Sequence, residues 1–180
     1  MSGPASAWYP PPVRASTARR VLGIDPGSRR LGWGVVERHG PKLSAIAAGV
    51  LELDPKEPLE VRLVEVHETI GALIEQHQPT TVAIEDIFYA RFPRAAIQLA
   101  HVRGVILLAA AGAEREVVSH PPALVKRTIA GRGAADKAQI ARMVAATLRL
   151  EHAPPPDAAD ALAIALTELA RAAATGRPPR

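Results

Sequence analysis

Four carboxylates sit where side chains do chemistry rather than dress a surface. Asp25 follows the apolar run VLGI and precedes Pro26-Gly27, so it stands where a buried strand meets a turn. Glu85 repeats the pattern in TVAIEDI, after a β-branched apolar run suited to a sheet interior. Asp157 and Asp160 both fall in the first turn of the helix that begins after Pro154, Pro155 and Pro156, and a spacing of three puts them on one face. Either aspartate alone is equally well explained as a partner of the helix dipole. Four together are harder to dismiss. Unit charges about 4 Å apart repel by roughly 4 kcal/mol at an effective dielectric near 20, so converging acids penalise folding unless a cation compensates them. Oxygen-only ligands suit magnesium or manganese. Two such ions about 4 Å apart can activate a water and stabilise the leaving oxygen of a phosphodiester, with no nucleophilic side chain required.

The elements that must hold these acids follow from periodicity. Residues 20–25, 31–38 and 43–53 read as three strands of an antiparallel meander. Leu59, Leu63, Val66, Ile70, Leu73 and Ile74 have helical spacing across 59–78. A strand over 81–87, a helix over 94–113 and a short strand over 116–119 come next, and Pro121-Pro122 suits a further helix start. Helices over 136–150 and 157–172 close the order. The result is a mixed α/β arrangement with the acids at strand and helix ends. The apolar run 104–113 is too short to span a bilayer and reads as a buried helix. Asp86, beside Glu85, should point to the opposite face of its strand.

The runs VLGIDPGSRRLGWGVV, VAIEDIFYARFPRAAIQLAHVRGV, VKRTIAGRGAADKAQI and DAADALAIALTEL, in this order and spacing, resemble the RuvC Holliday junction resolvases of bacteria. The similarity runs from about residue 20 to about residue 170. It implies a ribonuclease-H-like fold, a mixed five-stranded sheet flanked by helices. It also implies catalytic and metal-binding roles for Asp25, Glu85, Asp157 and Asp160, two Mg²⁺ ions per site with Mn²⁺ as a substitute, and a homodimeric active form. The implied substrate is the four-way DNA junction of homologous recombination and repair, cut by paired symmetric nicks with preference for a short T-rich sequence. The implied protein partners are the RuvA and RuvB branch-migration proteins.

Several further residues suit such an activity. Phe88, Tyr89 and Phe92 are half of the six aromatics and share their segment with Arg91 and Arg94, so DNA contact by stacking and charge is expected there. The resemblance gives Phe88 the part of a wedge at the opened junction, with core packing as the alternative; Phe92-Pro93 departs from the more polar family pattern. Lys126 and Lys137 match family lysines near the active centre. Lys137 also follows a glycine loop at a helix start, where backbone amides and a cation can meet a phosphate, against the plain reading of surface charge. Ser28, Arg29 and Arg30 can touch phosphates or simply solvate a turn. The histidines at 39, 67, 77, 101, 120 and 152 have no paired metal-ligand spacing.

Composition bounds the remainder. The 180 residues, 48% of them hydrophobic, suit one domain with a sizeable core. No cysteine is present, which excludes disulfides and thiolate-held zinc and makes the cytoplasm the default location. Residues 1–19, rich in proline, serine and alanine, read as a disordered N-terminal extension, 20–172 as the nuclease domain and 173–180 as a flexible tail. The net charge of +4 arises in the ends: residues 1–20 and 171–180 hold three arginines each and no acid, so the remainder sums to −2. Within it, residues 91–149 have ten bases against three acids, which gives one positive flank. Two divalent ions would turn the core from −2 to +2, so DNA affinity should depend on metal as well as salt. Two other readings compete. GIDPG also resembles the first phosphate loop of actin-like and sugar-kinase ATPases, which length and the lack of a second such loop oppose. A non-catalytic or RNA-processing relative of the same fold is opposed by the presence of all four acids.

Overall fold

The computed structural model describes residues 18–86, 93–131 and 135–176. Strand β1 (Arg19–Asp25) pairs antiparallel with β2 (Arg30–His39), and β2 with β3 (Lys42–Glu52), which is the expected meander. After helix α1 (Leu59–His77), β4 (Thr81–Glu85) joins the other edge of β1 in parallel; after α2 (Pro93–Gly112), β5 (Glu116–His120) adds in parallel beyond it. The strand order is β3-β2-β1-β4-β5, and helices α3 (Pro122–Ala130), α4 (Lys137–Leu148) and α5 (Pro156–Ala174) complete the chain. This is the mixed five-stranded sheet flanked by helices that the sequence predicts.

A strand's period of two sorts the central residues onto two faces. Leu22 and Ile24 of β1, with Val82 and Ile84 of β4, pack against α1 and α2 through Val66, Ile70, Val102 and Ile106. Val21 and Ala83, one residue out of phase, join the opposite cluster with Val125, Ile140 and Leu162 of α3, α4 and α5. With both faces covered, the middles of β1 (21–24) and β4 (82–84) are continuously apolar, as inner strands of a sheet covered on both sides are. Their last residues, Asp25 and Glu85, keep the phase of Val21 and Ala83 and therefore belong to the α5 face.

Helix α2 corrects one expectation. The apolar stretch is longer than 104–113, and by length and composition alone 95–112 could cross a membrane, yet only 22% of that window is buried. Val102, Ile106, Ala109 and Ala110 form a stripe at helical spacing that docks into the first core, while Ile97 and Leu108 are 57% and 65% exposed. The segment is a helix docked along one stripe rather than buried all round. The helix buried on nearly every side is α5, where Ala158, Ala159, Ala161, Ala163 and Ala165 are at most 1% exposed.

Candidate active site

The parallel register sets Ile24 of β1 beside Ile84 of β4, so Asp25 and Glu85 leave the sheet from the same end of neighbouring strands and on the same face. What brings the other two acids to them is the approach of α5. Its first turn is started by Pro155 and Pro156, which supply the fixed backbone angle and the missing amide that a helix start tolerates. The helix then lies on β1 and β2 more closely than side chains ordinarily permit. A Cβ on Gly32 would strike the Asp157 carbonyl, and one on Gly23 would strike that of Ala161. Gly32 is also the residue paired with Asp25 across the β1–β2 ladder, so one of these close helix-to-sheet approaches is at the site itself.

Single carboxylate oxygens of Asp25, Asp157 and Asp160 consequently lie within 4.8 Å of one another. Glu85 lines the same cavity as Asp25 and Asp160, a space of about 240 Å³ whose walls also include Lys126, Lys137 and Ile140. The electrostatics are those of a site with more negative charge than the protein neutralises. Burial, then the charges of Glu85 and Asp160, push the Asp25 carboxyl up to about 7 against the opposing pull of Lys137. Glu85 is raised as well, by burial and by Asp160. Lys137 is raised in turn, chiefly by the hydrogen bond that its Nζ donates to Asp160 Oδ2 at 2.8 Å. Asp157 has its own cation: Arg30 Nε stands 2.9 Å from its Oδ2.

The all-oxygen donor set fits a hard divalent cation, and three converging carboxylates beside a fourth are what such an ion would offset. Lys137 sits at the start of α4, where the Asp136 side chain caps the helix by accepting from the Gln139 amide. Its amine is engaged by Asp160. Lys126 of α3 faces the cavity and acts on Glu85 through charge. Phe88 and Arg91 lie outside the described residues, as does the side chain of Arg94. On the other face of the sheet Asp86 meets Arg103, 3.4 Å away, and the same guanidinium donates to Ser119 Oγ at 2.7 Å, as a strand partner pointing away from the site requires. His120 is turned to Glu168. Sequence reasoning missed the Arg30–Asp157 pair and the glycine contacts. The latter had a signal: Gly32 and Gly34 alternate on one face of β2, the mark of a close-lying backbone.

Comparison with known proteins gives consistent matches. The family model described as "Crossover junction endodeoxyribonuclease RuvC" matches residues 21–168. A protein of that name from Sorangium cellulosum is 50% identical over 165 residues, covering 88% of this chain and 92% of that protein. Among solved structures, Thermus thermophilus RuvC superposes with a TM-score of 0.78 at 37% identity, covering 89% of this chain and 98% of the other. The same protein in complex with Holliday junction substrate gives 0.79 at 34% identity, with the same coverage.

Proposed function

The chain belongs to the RuvC family of crossover junction endodeoxyribonucleases, and from that premise we propose how its own residues carry out the reaction. It is a metal-dependent nuclease that resolves four-way Holliday junctions in recombination and repair. Asp25, Glu85, Asp157 and Asp160 would hold two Mg²⁺ ions, with Mn²⁺ able to substitute. The observation that supports this most is the meeting of Asp25, Asp157 and Asp160 within 4.8 Å, with Asp25 pushed up to about 7 by burial and its acidic neighbours. Bound divalent ions supply an activated water and charge neutralisation at the scissile phosphate.

The rest of the work falls to the chain. Asp25 and Glu85, fixed at the ends of two sheet strands, set a rigid wall against which the phosphodiester is oriented. Lys137, its side chain 69% exposed, can leave Asp160 for a phosphate oxygen once that carboxylate has another cation. Lys126, on the cavity wall, adds positive charge on the side of Glu85. Phe88, Arg91 and Arg94 belong to the segment that follows β4 and are assigned to the DNA itself, with Phe88 stacking on unpaired bases.

Two symmetric nicks require two sites related by a twofold axis, which one domain with one site cannot present. The active form is therefore a homodimer, and the exposed apolar side of α2, with Ile97 and Leu108, is the surface available for it. Sedimentation should give twice the chain mass at micromolar concentration; a monomer throughout would end this part of the reading. RuvA and RuvB are its partners in branch migration, and its location is the cytoplasm.

The decisive assay compares a synthetic four-way junction with linear duplex and structured RNA, each with and without Mg²⁺. The junction should be nicked in paired strands only when metal is present. Equal cutting of linear duplex, or cutting in the presence of a chelator, would overturn the assignment.

A further inference from the structure

Arg30 opens β2 between two acids that both reach for it. Its Nε lies 2.9 Å from Asp157 Oδ2, and its NH2 lies 3.7 Å from Oε1 of Glu52, its cross-strand partner on β3. The acids differ in kind: the Asp157 side chain is 25% exposed and stands among other carboxylates, whereas that of Glu52 is 76% exposed at the sheet edge. We propose that Arg30 is a positioning residue that controls metal occupancy, capping Asp157 in the metal-free protein and passing to Glu52 when a divalent ion takes that carboxylate. This rests on the reading of the four acids as a divalent-ion site.

The argument is one of competing cations. A guanidinium keeps its charge at every working pH, so it cannot yield to a metal by losing a proton and must move instead. Arg30 is half exposed, and exposed ion pairs of this type shift an equilibrium by no more than about fivefold, so the arm is easily released. A doubly charged ion among Asp25, Asp157 and Asp160 outcompetes it. Left in place, the arm would stand beside that ion as a like charge. Glu52 gives it a second position without loss of its counter-charge. Until then, the cap removes one of the repulsions that Asp157 adds to its neighbours, so the same contact steadies the empty site and opposes its filling.

Mn²⁺ titration of the full-length, DNA-free protein, read by calorimetry, separates this from a static ion pair. Arg30→Met keeps the apolar stem and removes the charge; Mn²⁺ should bind about twofold to fivefold more tightly. Glu52→Gln takes away the second position, and binding should weaken about twofold to threefold. In the double variant the Glu52 effect should vanish, because no arm is left to receive. Unchanged or weaker binding in Arg30→Met would mean that the arginine merely holds Asp157 in shape, and overturns the proposal. An equal Glu52→Gln effect in both backgrounds would reduce that residue to a distant charge, and overturns the transfer. Asp160→Asn is the reference: it should abolish the titrated event. If wild type and Asp160→Asn titrate alike, the metal site itself is wrong, a failure distinct from that of the arm.

Discussion

Helix α5 carries acids at two places and treats them in opposite ways. At its first turn Asp157 and Asp160 meet Asp25, with Glu85 lining the same cavity, and the cations in reach, Arg30 and Lys137, are 52% and 69% exposed and free to leave. Two turns beyond Asp160, Glu168 is 2% exposed and completely enclosed by partners. Arg19 holds one of its oxygens at 2.9 Å and His120 the other at 3.1 Å, and all three side chains are at most 7% exposed. Arg19 also reaches Glu116 at 3.7 Å and Thr81 Oγ1 at 3.4 Å, which ties α5 to β1, β4 and β5. Buried charge with matched, immobile partners fixes structure. Excess charge with loose partners stores the means to bind a cation. The difference lies in the partners, since the acids themselves share a helix and a face of the sheet.

The sharpest break of that comparison is Asp160→Asn. The side chain keeps its shape and can still accept from Lys137, but it no longer attracts a cation. Junction nicking should fall by about a thousandfold or more, equivalent to about 4 kcal/mol of barrier, while junction binding stays within about threefold. Binding by gel shift and single-turnover cleavage measured together decide it; joint loss of both would make Asp160 a structural acid like Glu168. The converse change, Glu168→Ala, leaves Arg19 buried without its closest charged partner, the longer contacts to Glu116 and Thr81 remaining. Unfolding in urea should show a loss of about 3 kcal/mol, with cleavage per folded molecule within about twofold of wild type. A loss of less than about 1 kcal/mol would show the network to be ornamental.

The same contrast explains what could be read from the chain. Asp25 and Glu85 were legible because each closes an apolar run whose period already fixes its face; β4 ends at Glu85 rather than at 87, yet the Asp86 amide still bonds to the His120 carbonyl. Asp157 and Asp160 were legible because prolines mark the helix start. The Arg30–Asp157 pair was not, since it joins residues that meet only after α5 settles on β2, and strand periodicity says nothing about which turn of a helix lands where. The Arg19–Glu168–His120 network was hidden for the same reason: scattered histidines and a helix glutamate acquire meaning only from the packing of β5 against α5. For α2, near-uniform apolar composition could not announce which stripe would dock.

The smallest of the expected effects concerns the proton at Asp25, and it tests whether the site end of α5 is held under electrostatic load. Because the carboxyl is raised from an ordinary value of 3.8 to about 7, the folded protein binds this proton more tightly than the unfolded chain does. Its contribution to stability is fully present below about pH 3.8 and is lost as pH rises towards about 7, where the folded protein must carry the buried charge. The metal-free wild type should therefore weaken across that window. Asp25→Asn removes the charge and should flatten the trend, making the metal-free protein about 2 kcal/mol more stable at pH 8 despite being inactive. Adding Mg²⁺ should restore wild type, whose carboxylate then has a counter-charge, and leave the variant almost unmoved. Thermal unfolding of both proteins at pH 5 and pH 8, with and without Mg²⁺, gives four values for each. A variant less stable than wild type at pH 8 without metal would mean that Asp25 is compensated as thoroughly as Glu168, and the two ends of the helix would no longer differ in the way argued.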